Sequence, residues 1–216
     1  MKTKDKPIKT TFPTCTALQK AIQDANKKEK YTSGQRALTG DQVNKLLLQI
    51  TDLEHLGLFQ LVISTGIRRE DLVKIKKLDI DLQNQSVTFY EAKKRRIKTV
   101  FIPTTVSNTL QMMLNINKKE PFLFPGGSER LRGSGKGHMS GRNAYNIFQH
   151  YLEKAGLSHR PFHSLRASCI KLCQRRGWSV EQTAELVGDK ISTIQESYLS
   201  PSTEEMKETV NVKPIL

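Results

Sequence analysis

The sequence predicts a mainly α fold with one small three-stranded antiparallel sheet (α+β) around a single core, and three observations carry that reading. Its 216 residues suit one domain of ordinary size with a short appendage. Apolar residues recur at helical spacing through most of the chain. Only between Asp79 and Pro103 does the period change to alternation, the mark of strands. Hydrophobic residues make up 37%, enough to build a packed interior.

Residues 1 to about 35 carry many lysines, two prolines and the run Asn26-Lys27-Lys28-Glu29-Lys30, and they read as a mobile basic arm. A helix then opens with Thr39 as N-cap and Gln42 in the capping-box position, placing Val43, Leu46, Leu47 and Ile50 on one face. Residues 54–64 are apolar on most sides, as in a buried central helix; Gly66 breaks the pattern and a second helix follows. Short strands are expected near 79–82, 86–91 and 98–102, with Lys93, Lys94, Arg95 and Arg96 in the last turn. After Pro103 a helix covers TTVSNTLQMMLN. Further helices are expected at 140–155, 163–176, 179–187, 190–198 and 202–209. Met112, Met113, Phe148 and Trp178 read as packing residues. The intervening Gly-rich loop fails as a phosphate cradle, because Gly137 follows Lys136 where Ser or Thr is needed and Arg130 stands in place of the first loop glycine.

Lys and Arg number 35 against 21 Asp and Glu, a formal charge of +14. Such an excess on a folded domain points to a polyanion, since these side chains replace counterions along a phosphate backbone. Nucleic acid leads, with an anionic membrane surface second. No apolar run approaches the roughly 20 residues of a membrane span, and the first twenty residues lack an apolar signal core, so a soluble intracellular protein is expected. Three cysteines exclude a disulfide framework. Cys169 and Cys173 have no second ligand pair, so no metal site is expected.

Against this background a set of residues stands in a particular order. Arg68 follows the buried helix and Gly66; the basic hairpin follows; His163-Ser164-Leu165-Arg166 opens a later helix; and Tyr198 ends a helix nine residues after Leu186-Val187-Gly188-Asp189. Singly they mean little, because such residues usually make surface ion pairs, cap helices or anchor amphipathic faces. Together, TGIRREDL, FHSLRAS and LVGDKISTIQESY resemble three boxes of the tyrosine recombinases, the phage integrase and Xer group, over about residues 36 to 200.

The resemblance implies that fold's catalytic core and a set of roles that the chemistry of strand exchange also asks for. A phenol can form a phosphoester and later leave it, which suits Tyr198 as nucleophile. Arg68 and Arg166 would clamp the non-bridging oxygens through paired hydrogen bonds. Lys93 would protonate the departing 5′ oxygen, with Lys94 as the alternative, and His163 would accept or relay the tyrosine proton. No metal or other cofactor is implied. The family usually has His or Trp where Asp189 stands. A carboxylate only accepts hydrogen bonds, which leaves Asp189 either to orient His163 or an arginine or to mark a slower enzyme. Asp71 matches an acidic position that would orient a cationic residue from behind.

The function implied is site-specific recombination, as an integrase of a mobile element or virus, with a type IB topoisomerase or telomere resolvase and a non-enzymatic DNA-binding domain as alternatives. The partner is double-stranded DNA carrying a recombination site, contacted also through Lys94, Arg95, Arg96, Arg130, Arg132, Lys136 and Arg142. The protein would then be cytoplasmic and nucleoid-associated, with copies self-associating on DNA into a tetramer. Residues 1–35 form the arm, 36–200 the catalytic domain and 201–216 a tail that either folds back or is exchanged between protomers. Many members carry a helical core-binding domain ahead of the catalytic one. An arm of about 35 residues leaves two readings, a fragment or a minimal recombinase.

Overall fold

The computed structural model describes residues 36–116, 120–126, 137–198 and 203–212, all within the unit Thr32–Leu216. Helices α1 (Gly40–Leu48), α2 (Leu53–Thr65) and the single turn α3 (Arg69–Leu72) precede strands β1 (Ile80–Asp81), β2 (Ser86–Glu91) and β3 (Arg96–Phe101). Then come α4 (Thr104–Ile116), α5 (Gly141–Lys154), α6 (His163–Arg175), α7 (Val180–Val187), α8 (Ile191–Ser197) and α9 (Thr203–Val212). No helix among the described residues is long and apolar enough to cross a membrane.

Local chemistry explains the helix starts. Thr39 and Gln42 form the expected capping box of α1, and Ser179 with Gln182 forms another on α7. Asp52 and Ser140 cap α2 and α5 by accepting from His55 and Asn143 N–H groups. Helix α2 is apolar on most sides and is correspondingly central, packed against α6 and α4 with Leu58, Phe59, Leu61 and Val62 buried. A second apolar cluster joins Ala167, Cys169, Ile170 and Cys173 of α6 to Ala184, Val187, Ile194 and Tyr198. This cluster anchors α7 and α8 beside the end of α2.

The sheet is antiparallel in the order β1-β2-β3, with Val87 opposite Val100 and Glu91 opposite Arg96. Its inward face buries Val87, Phe89 and Val100, and with them two charged residues, Glu91 and Lys98. Arg96 belongs to β3 rather than to the turn, and β3 starts two residues earlier than the alternation indicated. The chain reverses within Ala92–Arg95, where Lys94 N–H donates to Glu91 and Arg95 adopts φ 51°. The helix after Gly66 is only one turn long. Met113 and Phe148 are buried as expected, but Met112 and Trp178 are 56% and 44% exposed. Val106, Leu110 and Met113 define the inner face of α4, which leaves Met112 on the other side.

Candidate active site

Helix α2 stops at Gly66, which takes the left-handed conformation at φ 65° and turns the chain so that Arg68 becomes the N-cap of α3. One Arg68 amino group donates to Glu91 Oε1 and the other to Asp189 Oδ1 at 2.7 Å. Arg166, one turn into α6, is fully buried. Its Nη1 donates to the carbonyl of Gly66, and its Nη2 to the carbonyl of Val187 and to Asp189 Oδ2, both at 2.7 Å. The Nε–H of Arg166 is buried and has no protein partner. Asp189 reaches this position because α7 ends at Gly188 in the left-handed region, φ 71°. Burial pushes the Asp189 carboxyl up, but Arg166, helped by Arg68 and Lys94, outweighs it and holds the group ionised below its ordinary pKa.

His163 begins α6 and Tyr198 caps the C-terminal end of α8, so the two come from opposite ends of the last helices. Nε2 of His163 lies 2.8 Å from the Tyr198 hydroxyl oxygen. Burial lowers the His163 pKa, with Arg166 acting the same way, so the ring is neutral. Burial raises the Tyr198 pKa against the pull of Arg166, so the phenol keeps its proton. In the tautomer that carries its proton on Nδ1, the neutral imidazole accepts through Nε2 from the protonated phenol.

The β2–β3 hairpin supplies the remaining cations. Lys93 lines a cavity of about 480 Å³ together with Arg68, Asp71, His163, Arg166 and Tyr145. Lys94 lies near enough to bias Asp189, so both lysines border the site. Asp71 accepts from the backbone N–H of Ala92 at 3.2 Å and so holds the hairpin just before Lys93, with the Arg68 charge also acting on it. Burial raises the Asp71 pKa, partly offset by that bond and by Arg68.

The model of the phage integrase family matches residues 36–205. The chain belongs to the phage integrase family. It is 25% identical over 174 residues to the tyrosine recombinase XerA of Thermococcus kodakarensis, covering 80% of this chain and 60% of that protein. The chain thus spans about 60% of the length of the curated relatives it matches. A crystal structure of XerA recombinase superposes with a TM-score of 0.70 at 18% identity, covering 83% of this chain and 64% of that one. The XerH site-specific recombinase, in a post-cleavage complex with palindromic difH substrate, gives 0.66 at 17% identity over 83% and 52% of the two chains. At such identities the likeness is one of fold.

Within this phage integrase family member, Arg68, His163, Arg166, Asp189 and Tyr198 share one site although they lie up to 130 residues apart. Of the basic residues expected to touch DNA, Lys94 and Arg95 are exposed in the hairpin turn. Arg96 instead donates from Nε to Glu91 Oε2 at 2.9 Å, and Arg142 sits 5.8 Å over the Tyr145 ring. Arg130, Arg132 and Lys136 lie outside the described residues, as does the arm over 1–35. Two residues escaped the sequence reading. Glu91 is a buried carboxylate that burial pushes up in pKa, but hydrogen bonds from Arg96 and Arg68 more than reverse this. Lys98 is held by the carbonyls of Glu185 and Leu186 at 2.6 and 2.7 Å, and burial lowers its pKa to about 8. Both stand on the inward side of the alternating pattern, which was the available signal.

Proposed function

We propose that the chain is the catalytic domain of a site-specific DNA recombinase that breaks and rejoins strands through a 3′-phosphotyrosyl intermediate on Tyr198. The observation that supports this best is the hydrogen bond between His163 and Tyr198 at 2.8 Å beside two guanidiniums. As Tyr198 Oη attacks phosphorus, its proton passes to Nε2 of His163. Arg68 and Arg166 take up the charge that grows on the non-bridging oxygens, and the unpartnered Nε–H of Arg166 offers one more donor. The bond from phosphorus to the 5′ oxygen breaks, and Lys93 supplies that oxygen with a proton. The net reaction exchanges one phosphoester for another, so the strand can be resealed by the reverse steps.

The substrate in this reading is double-stranded DNA with a recombination site, as an integrase of a mobile element would use, and Tyr198 serves the site of its own chain. The tail is proposed to dock on a second protomer within a tetramer, because Met206 and Val210, four residues apart on α9, are 47% and 55% exposed. The test is a nicked suicide duplex whose released end diffuses away after cleavage, traced on a denaturing gel. Recombination between two sites, as opposed to mere relaxation of supercoils, separates this reading from that of a topoisomerase.

A further inference from the structure

The two oxygens of the Asp189 carboxylate are divided between two guanidiniums, 2.7 Å from Arg68 and 2.7 Å from Arg166. A phosphodiester offers two non-bridging oxygens and the same single negative charge, so it asks for the same pair of donors. We infer that Asp189 is a resident anion in the phosphate site, and that the scissile phosphate binds by displacing the Asp189 carboxylate from Arg68 and Arg166. This rests on the reading of those arginines as the phosphate clamp.

Three features of the site suit an exchange rather than a fixed brace. Neither arginine depends on Asp189 for its place: Arg68 is also held by Glu91, and Arg166 by the carbonyls of Gly66 and Val187. The buried Nε–H of Arg166 is left without a partner while Asp189 is in place, so the carboxylate does not use all the donors. Asp189 also stands between two helices, one residue after the left-handed Gly188 and one before the N-cap Lys190. On its other side it borders an open hollow that it shares with Lys190, Glu181 and Glu185. The exchange requires the Asp189 carboxylate to turn away from the arginines toward this hollow, where Lys190 is the cation at hand.

The exchange has a consequence for selectivity. Replacing one carboxylate by one phosphodiester neutralises no additional charge at the arginines, so a free anion gains little there. DNA gains its hold on other surfaces and then brings its phosphate in at high local concentration. The device closes the site to loose phosphate and opens it to bound DNA.

Asp189→Asn keeps the side-chain size and removes the charge. The expected result in the full chain is at least tenfold tighter binding of inorganic phosphate than in the unaltered chain, measured calorimetrically. Equal or weaker phosphate binding overturns the proposal and makes Asp189 a brace. Should the variant not fold, a crystal structure of the unaltered chain with a duplex decides: Asp189 off both arginines supports the exchange, and Asp189 still bridging them overturns it. Phosphate binding is read without cleavage, so its outcome is separate from whether Tyr198 forms an adduct.

Discussion

His163 Nε2 and the Tyr198 hydroxyl oxygen lie 2.8 Å apart, and the surroundings drive their pKa values in opposite directions. Burial and Arg166 lower that of His163, and burial raises that of Tyr198. Direct ionisation of the phenol is therefore disfavoured, and transfer to a neutral imidazole is the open route. Single-turnover adduct formation is expected to be level from about pH 7 to pH 9. It should fall in acid below the ordinary histidine value of about 6.5, where His163 becomes protonated and can no longer accept. A rate that climbs through pH 9 and beyond would instead mean that Tyr198 must ionise by itself.

The lysine assignment has its own chemical test. Lys93 lines the cavity beside Arg68 and His163. A Lys93→Ala variant should lose cleavage of ordinary DNA and recover it on a duplex carrying a 5′ bridging sulfur, because a thiolate leaves without a proton. Rescue of Lys94→Ala alone would move the general acid one residue along the turn.

Glu91 is expected to matter more than a strand-end acid should. It pairs with Arg68 and Arg96 from an almost fully buried position. Glu91→Gln preserves the volume but leaves Arg68 with Asp189 as its remaining carboxylate partner, at a loss of about 2 kcal/mol in urea unfolding. Cleavage should fall with it, and Glu91→Asp should restore part of both. A neutral effect on both would remove Glu91 from the positioning of Arg68.

Gly188 and Gly156 share a positive φ, of 71° and 65°, but differ in surroundings. A Cβ at Gly188 would meet Lys98 Nζ at 2.9 Å and Glu91 Oε1 at 3.2 Å, whereas at Gly156 nothing lies within 4 Å. Gly156→Ala should cost only the backbone strain, about 1 kcal/mol. Gly188→Ala should cost more than that and also weaken cleavage, because Asp189 follows directly. Equal losses in the two variants would contradict this.

Away from the site, burial and Asp52 raise the Glu54 pKa to about 7. The folded chain therefore retains a proton that the unfolded chain releases near pH 4.5, and stability falls as pH rises between those values. Glu54→Gln should flatten this part of the stability profile and gain on the order of 2 kcal/mol at pH 8 relative to the unaltered chain. An unchanged profile would show that Glu54 is ionised at little cost.

Much of this was readable from residues alone where the signal is local. The Thr39–Gln42 capping box, the switch of period at Asp79 and the glycine after α2 each depend on a few neighbouring residues. The bridge from Asp189 to Arg68 spans 121 residues and was reduced to alternatives, because no periodicity states which cation a carboxylate will meet. Glu91 was hidden differently. Its strand pattern points it inward, but a lone acid before a basic turn reads as one more surface charge until Arg68 and Arg96 are known to converge on it. The one-turn helix at Arg69–Leu72 also departs from expectation, since nothing in EDL warns that the chain turns at once toward the sheet.

The measurement closest to the central claim is covalent capture of DNA by Tyr198. Incubated with a nicked suicide duplex, the unaltered chain is expected to give a protein–DNA band that survives denaturation and maps by mass spectrometry to a phosphotyrosine at Tyr198. Tyr198→Phe should bind the same duplex with similar affinity and give no band. Arg68→Ala and Arg166→Ala should each slow the band's appearance by roughly 10²–10³-fold. An adduct that persists in Tyr198→Phe, or none in the unaltered chain on a duplex it demonstrably binds, would contradict the assignment of Tyr198 as nucleophile.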